Sequence, residues 1–170
     1  YNDSNENFPD FIRRLQVNRD QVLLKLEKAW NAFCESYAGL RSEQMLLPGV
    51  MEDWSVKDLI AHVSWWEEEA LKHLPHILQG KRPPRYSLLY GGIDAFNAQM
   101  TALKRTLTLE EVLHQAVETH RRLVNYLATV PDDVFAHETR FRRRLRLDTY
   151  GHYPIHTAAI WSWRDYMELE

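Results

Sequence analysis

Two histidines stand four residues apart in TYGHYPIH, residues 149–156, just ahead of an apolar run rich in tryptophan. Positions i and i+4 of a helix share a face, with Cβ atoms ~5–6 Å apart, so two imidazoles at that spacing can reach one metal ion. His152 and His156 keep the spacing of the HExxH zinc enzymes, but Tyr-Pro-Ile lies between them and the glutamate base is missing. Pro154 falls inside the pair, so the first turn must be irregular or Gly151 must sit close to the cap. Taken alone, such a pair is equally well two polar residues near a helix start. A metal site needs a third ligand from elsewhere.

His62, in WSVKDLIAHVSWWE, is the candidate. It lies beside an apolar stripe, where a histidine is more often a hydrogen-bonded core residue than a ligand. Facing helices of a bundle nevertheless converge their side chains, and metal sites are commonly built that way. Three histidines with one open position match a catalytic rather than a structural zinc-type site. A divalent zinc, nickel or iron ion held so could lower the pKa of bound water to ~7, or take up the thiolate of a low-molecular-weight thiol. Hydrolysis would need a base. Glu69, seven residues after His62, lies two turns on along the same face, although a solvated helix position looks the same; Asp58 is better explained as a capping residue.

The other histidines carry less. His120 has a core-like position and reads as a satisfied buried residue, His73 and His76 fall near a helix end, and His114 and His137 look solvent-facing. Trp65, Trp66, Trp161, Trp163, Tyr150 and Tyr153 surround the three candidate ligands in sequence. They are either bundle core or the wall of an apolar pocket above a metal. The five arginines of RFRRRLRL (140, 142, 143, 144 and 146) read as a solvated segment first, a carboxylate or phosphate clamp second, and a nucleic-acid contact third, since so short a patch on an acidic protein is a poor footprint.

The elements that must position these groups are helical. Asn18 with Gln21 resembles a capping box, and Val22, Leu26, Trp30, Phe33 and Tyr37 recur at helical steps up to a stop at Gly39. Ser55 with Asp58 caps a second helix that frays near Pro75, and Thr108 with Glu111 caps another that ends at the Pro-Asp-Asp of 131–133. Asp148 or Thr149 is placed to cap the last helix. Pro9 to Leu15 suggests a short turn, LRSEQMLLPGVMED a connector, and Ala136 to Asp148 a short strand or an exposed loop. The expected fold is therefore all-α: an antiparallel four-helix bundle with a long crossover, residues 80–107, carrying an extra helix between the second and third main helices. Residues 1–170 form one domain, with 1–17 as an extension or short helix.

Composition narrows the function. At 170 residues with 45% hydrophobic and 26% charged residues, the chain suits one globular core. A net charge of −3 argues against nucleic acid as a partner, and no apolar run approaches the ~20 residues of a membrane span. The single cysteine, Cys34, and the polar, acidic opening YNDSNENFPD fit a cytoplasmic protein.

WSVKDLIAHVSWWE, the late HxxxH pair and AAIWSWR together resemble the DinB/YfiT-like superfamily of metalloenzymes. GGIDAFNAQM and TLEEVLHQAVETHRRLVNYLATVPDDVF are similar to its ClbS/DfsB branch, and the resemblance spans roughly residues 18–168. It implies a four-helix bundle holding a divalent metal through one histidine of the second helix and two of the last. Those positions are His62, His152 and His156 here. Some ClbS-like members lack the full set and work without metal; this chain keeps all three. Activities in the superfamily include thiol-dependent transfer and isomerisation and hydrolysis of a reactive genotoxin, so the resemblance fixes the site better than the substrate. The expectation is a metal-dependent hydrolase or thiol transferase acting on a small molecule, as a homodimer. The alternatives are a ClbS-like protein that protects without metal against a reactive natural product, and a non-catalytic dimeric bundle.

Overall fold

The computed structural model describes residues 18–168, so the turn expected at Pro9 to Leu15 lies outside the described residues. Four long helices make the bundle: α1 (Arg19–Tyr37), α3 (Val56–Leu78), α6 (Leu109–Thr129) and α8 (Tyr153–Tyr166). The short helix α2 (Ser42–Met45) and a hairpin of β1 (Pro48–Met51) with β2 (Trp54–Ser55) join α1 to α3. Helices α4 (Tyr86–Leu89) and α5 (Ile93–Lys104) fill the crossover, and α7 (Arg140–Asp148) precedes α8 after a 3₁₀ turn at Asp132–Phe135.

Helix α3 is the central element. Every residue from Asp58 to Glu67 is buried, so the helix needs neighbours on all sides. It packs against α5, α6, α7 and α8, while α1 covers α6 and α8. Local chemistry fixes where helices start. The Asp58 amide donates to Ser55 Oγ (3.2 Å) and the Ser55 amide to Asp58 Oδ2 (2.9 Å). Thr108 and Glu111 repeat this reciprocal pair at 2.7 and 3.2 Å. Asn18 Oδ1 accepts from the Gln21 amide at 2.9 Å, and Gly39 ends α1 with φ +79°.

Four local expectations change. RFRRRLRL is neither strand nor loop but helix α7: Phe141, Leu145 and Asp148, spaced four and three apart, are buried, and Thr139 Oγ1 accepts from the Arg142 amide (3.1 Å). The connector after α2 holds the hairpin, where Glu52 takes φ +53° between the strands. Helix α3 does not fray at Pro75 but runs on to Leu78, because Leu74 and Ile77 are buried and hold the last turn despite the missing N–H. The last helix is capped by His152, not by Asp148 or Thr149. Asp148 is the final residue of α7, and Thr149 gives its carbonyl to the amides of His152 (2.6 Å) and Tyr153 (3.0 Å).

Candidate metal centre

The α7–α8 turn brings His152 to the bundle. Gly151 makes the turn possible: a Cβ there would come within 2.8 Å of the Arg146 carbonyl oxygen, which the Gly151 amide already meets at 2.9 Å. Pro154 becomes the second residue of α8, where no intrahelical acceptor awaits its missing N–H. Of the two arrangements expected, the sequence adopts the second: Gly151 sits directly before the cap residue His152, and Pro154 falls in the first turn where it is tolerated.

His62, 90 residues away in sequence, meets the pair. Its Nε2 lies 3.0 Å from His152 Nε2, which lies 2.8 Å from His156 Nε2. One ligand atom from each ring falls within 4.8 Å of the others, the spread needed for a shared ion. His62 and His156 are buried and His152 half-buried. The Nδ1 atoms have no hydrogen-bond partner among the described residues. Packing orients the rings instead: Trp54 and Trp65 lie 5.0 and 4.8 Å from the His62 ring centroid, and Trp66 lies 6.2 Å from that of His152.

Burial, reinforced by His156 and His152 as like-charged neighbours when protonated, takes His62 down to about 2. Burial takes His152 to about 4, and burial together with His152 takes His156 to about 3. All three rings are thus neutral at pH 7, each with a lone pair for a metal. The donor set suits zinc, nickel or iron, since imidazole nitrogen is their ligand type and no hard oxygen donor joins the cluster among the described residues. Three neutral ligands would also leave a divalent ion its full charge.

Glu69 is buried but does not belong to this cluster. Its Oε2 accepts from Tyr86 and from His73 (3.0 Å), and its Oε1 from Lys72 (3.1 Å). Burial opposes ionisation there, but these donors outweigh it and hold the carboxyl down at about 2. Asp58 serves its helix cap as expected. His73, expected near a frayed end, is buried by its bond to Glu69; His114 and His137 are exposed.

The aromatic residues divide between the two readings. Trp65 and Trp66 wall the histidines, Tyr153 and Trp163 belong to the core, and Trp161 is on the surface beneath Arg164. Trp54 also lines a cleft of about 820 Å³ between the hairpin and α5. Asn97 Oδ1 and Thr101 Oγ1, on the α5 wall of that cleft, have no partner among the described residues.

Glu67 is the polar group sequence reasoning missed. It is 0% exposed, and its Oε1 accepts from Tyr153 and from His120 Nδ1 (2.7 Å), whose ring stacks on Trp30 at 3.9 Å. Burial raises its pKa, with His120 and Tyr153 opposing the rise. Its place four residues after Val63, on the core stripe, was the available signal. His120 is hydrogen-bonded as expected, but half-buried rather than fully buried. Tyr153→Phe should cost ~1–3 kcal/mol in urea unfolding, because it strips a donor from a carboxylate that water cannot reach. A loss under ~0.5 kcal/mol, the scatter of neutral surface changes, would show that the hydroxyl contributes nothing.

Residues 25–159 match the DinB superfamily, and the chain belongs to that family. The sequence matches no curated protein. Among solved structures, the sibling lethal factor precursor DfsB superposes with a TM-score of 0.75 at 14% identity, over 91% of this chain and 99% of its own. An uncharacterised protein of Escherichia coli UTI89 gives 0.72 at 14% identity, over 90% and 96%. The colibactin self-resistance protein ClbS, in complex with a dsDNA, gives 0.70 at 14% identity, over 84% and 93%. These likenesses share the helical-bundle fold.

The ClbS complex overturns the exclusion of nucleic acid drawn from net charge. The inference failed because net charge averages the whole surface, whereas a nucleic-acid contact requires only a local excess of cations. No helix among the described residues is long and apolar enough to cross a membrane.

Proposed function

We propose that this chain is a metal-dependent enzyme acting on a small molecule, by hydrolysis or by transfer of a low-molecular-weight thiol. The observation that carries the reading is the convergence of three imidazole Nε2 atoms, two on buried rings and one on a half-buried ring, from two distant segments. A zinc, nickel or iron ion bound there would supply Lewis acidity at an open position. The chain's residues supply the rest. His62, His152 and His156 stay deprotonated in a site dried by Trp54, Trp65 and Trp66, and the cleft beside Trp54 offers the volume a small substrate needs. Glu69 fits a positioning role better than a base, since three donors already occupy its carboxylate.

The test is elemental analysis of protein purified without a nickel column from cells supplied with zinc, nickel and iron. One equivalent of one metal per chain is expected; trace amounts of all three would sink the reading.

A second reading is a ClbS-like protein that protects against a reactive natural product without using a metal, and the fold shared with ClbS and DfsB favours it. Protection of cells from an alkylating metabolite that survives His152→Ala would support this second reading over the first.

A further inference from the structure

The arginine-rich segment is not absorbed by the metal centre. As helix α7 it sorts its charges by face. Arg142 and Arg146 both turn to Glu138 (3.7 and 3.3 Å), and Arg144 Nε donates to Asp148 at 2.5 Å. Arg140 and Arg143 have no acidic partner among the described residues. With Arg144 and Leu147 they follow the i, i+3, i+4, i+7 pattern of one helix face, and together they wall a cleft of about 320 Å³. Pro83, Pro84 and Tyr86 line the opposite side. The same loop carries Lys81, Arg82 and Arg85, all exposed and likewise without an acidic partner among the described residues.

Two details make this more than a solvated face. Arg144 is held in place: its Nη2 donates to the Tyr86 hydroxyl (2.9 Å), and Tyr86 in turn donates to Glu69. The guanidinium plane is thereby set with Nη1 still to spare. Arg140 and Arg143 are like charges one helical turn apart, an arrangement that repels unless an anion joins it. A phosphate carrying about two negative charges balances both, and its oxygens match the guanidinium fork; a monocarboxylate would leave one cation unmatched.

We propose that the cleft between α7 and residues 83–86 binds phosphate groups through Arg140 and Arg143, with Arg144 as a fixed third donor. The inference is independent of the metal centre. The phosphates could belong to a phosphorylated small molecule or to a nucleic-acid backbone, and the experiment separates the two.

Inorganic pyrophosphate is titrated by calorimetry, before and after chelator treatment so that coordination by the histidines is excluded, and labelled duplex DNA by fluorescence anisotropy at low salt. The R140E/R143E double variant is compared with the full wild-type chain, with helical content checked by circular dichroism. Should the charge reversal unfold the chain, R140Q/R143Q takes its place. Pyrophosphate affinity falling at least ~10-fold in the variant supports the cleft with a small ligand. DNA binding that falls as far, with a salt dependence reduced by about two unit slopes and no pyrophosphate response, supports it with a phosphodiester backbone. Binding of neither probe by the wild type, or equal binding by wild type and variant, overturns the proposal.

Discussion

Replacing His62 by alanine is expected to lower metal affinity by more than ~100-fold while leaving helical content intact. A hundredfold loss is the upper range for removing a group that merely supports a ligand, and the proposed site makes His62 a ligand itself. After the change only His152, at the cap of α8, and His156 within it remain, 2.8 Å apart at their Nε2 atoms. A two-histidine site lacks the third donor that the facing helix contributes, and nothing else in the cluster substitutes for it.

The fold should tolerate the loss. Alanine leaves a cavity between Trp54, Trp65 and Trp66, which costs stability. It also removes a buried imidazole whose Nδ1 has no partner among the described residues, which offsets part of that cost. A chelator should therefore lower the melting temperature of metal-loaded wild type, since a ligand at ~100 times its Kd contributes ~2.7 kcal/mol, and should leave that of His62→Ala unmoved. His114→Ala, at an exposed position, is the control and should behave as wild type. Retention of a full equivalent of metal by His62→Ala would falsify the assigned ligand set.

What the sequence disclosed, and what it hid, follows from the range of the interactions concerned. The boxes at Ser55 and Thr108 were legible because their hydrogen bonds close within four residues. The meeting of His62 with His152 spans 90 residues, and no spacing rule reaches so far; the bundle argument made His62 a candidate, the family resemblance implied it, and the coordinates bring the rings together. RFRRRLRL misled because Leu145 and Leu147 alternate with arginine as in a strand. Leu147 is in fact 57% exposed, and the buried set Phe141, Leu145 and Asp148 has helical spacing. A buried aspartate is an unusual member of such a set, explained only by Arg144 beside it. The hairpin escaped for a similar reason. Its turn at Glu52 and Asp53 contains no glycine, although Glu52 adopts the left-handed backbone that glycine favours.

Acid should destabilise the metal-free protein, with stability falling as the pH drops below about 6. The unfolded chain titrates its histidines near ~6.5, so below that value it binds protons that the folded chain refuses. Folded His62, His152 and His156 stay neutral down to about 2, 4 and 3, held there chiefly by burial. The sign is therefore fixed: between the two sets of pKa values the unfolded state gains protons on acidification, and stability is lost as pH falls. Each ring refusing one proton costs ~1.4 kcal/mol per pH unit, so three amount to roughly 4 kcal/mol per unit between about pH 6 and 4. Set against the ~5–15 kcal/mol that stabilises an ordinary domain, the rings alone would remove a large part of the margin by about pH 5. Two buried carboxyls oppose them: Asp148, raised to about 7 chiefly by burial, and Glu67, also raised by burial, bind protons in the folded state over this range and soften the slope. Thermal unfolding of chelator-treated protein at pH 7.5 and 5.5 decides the matter, because the three rings must charge whenever the site opens. A melting temperature that falls no more between those two values in wild type than in His62→Ala, which lacks one ring but keeps both carboxyls, would mean that the imidazoles are already solvated in the folded state. The dry, proton-free cluster on which metal binding depends would then not exist.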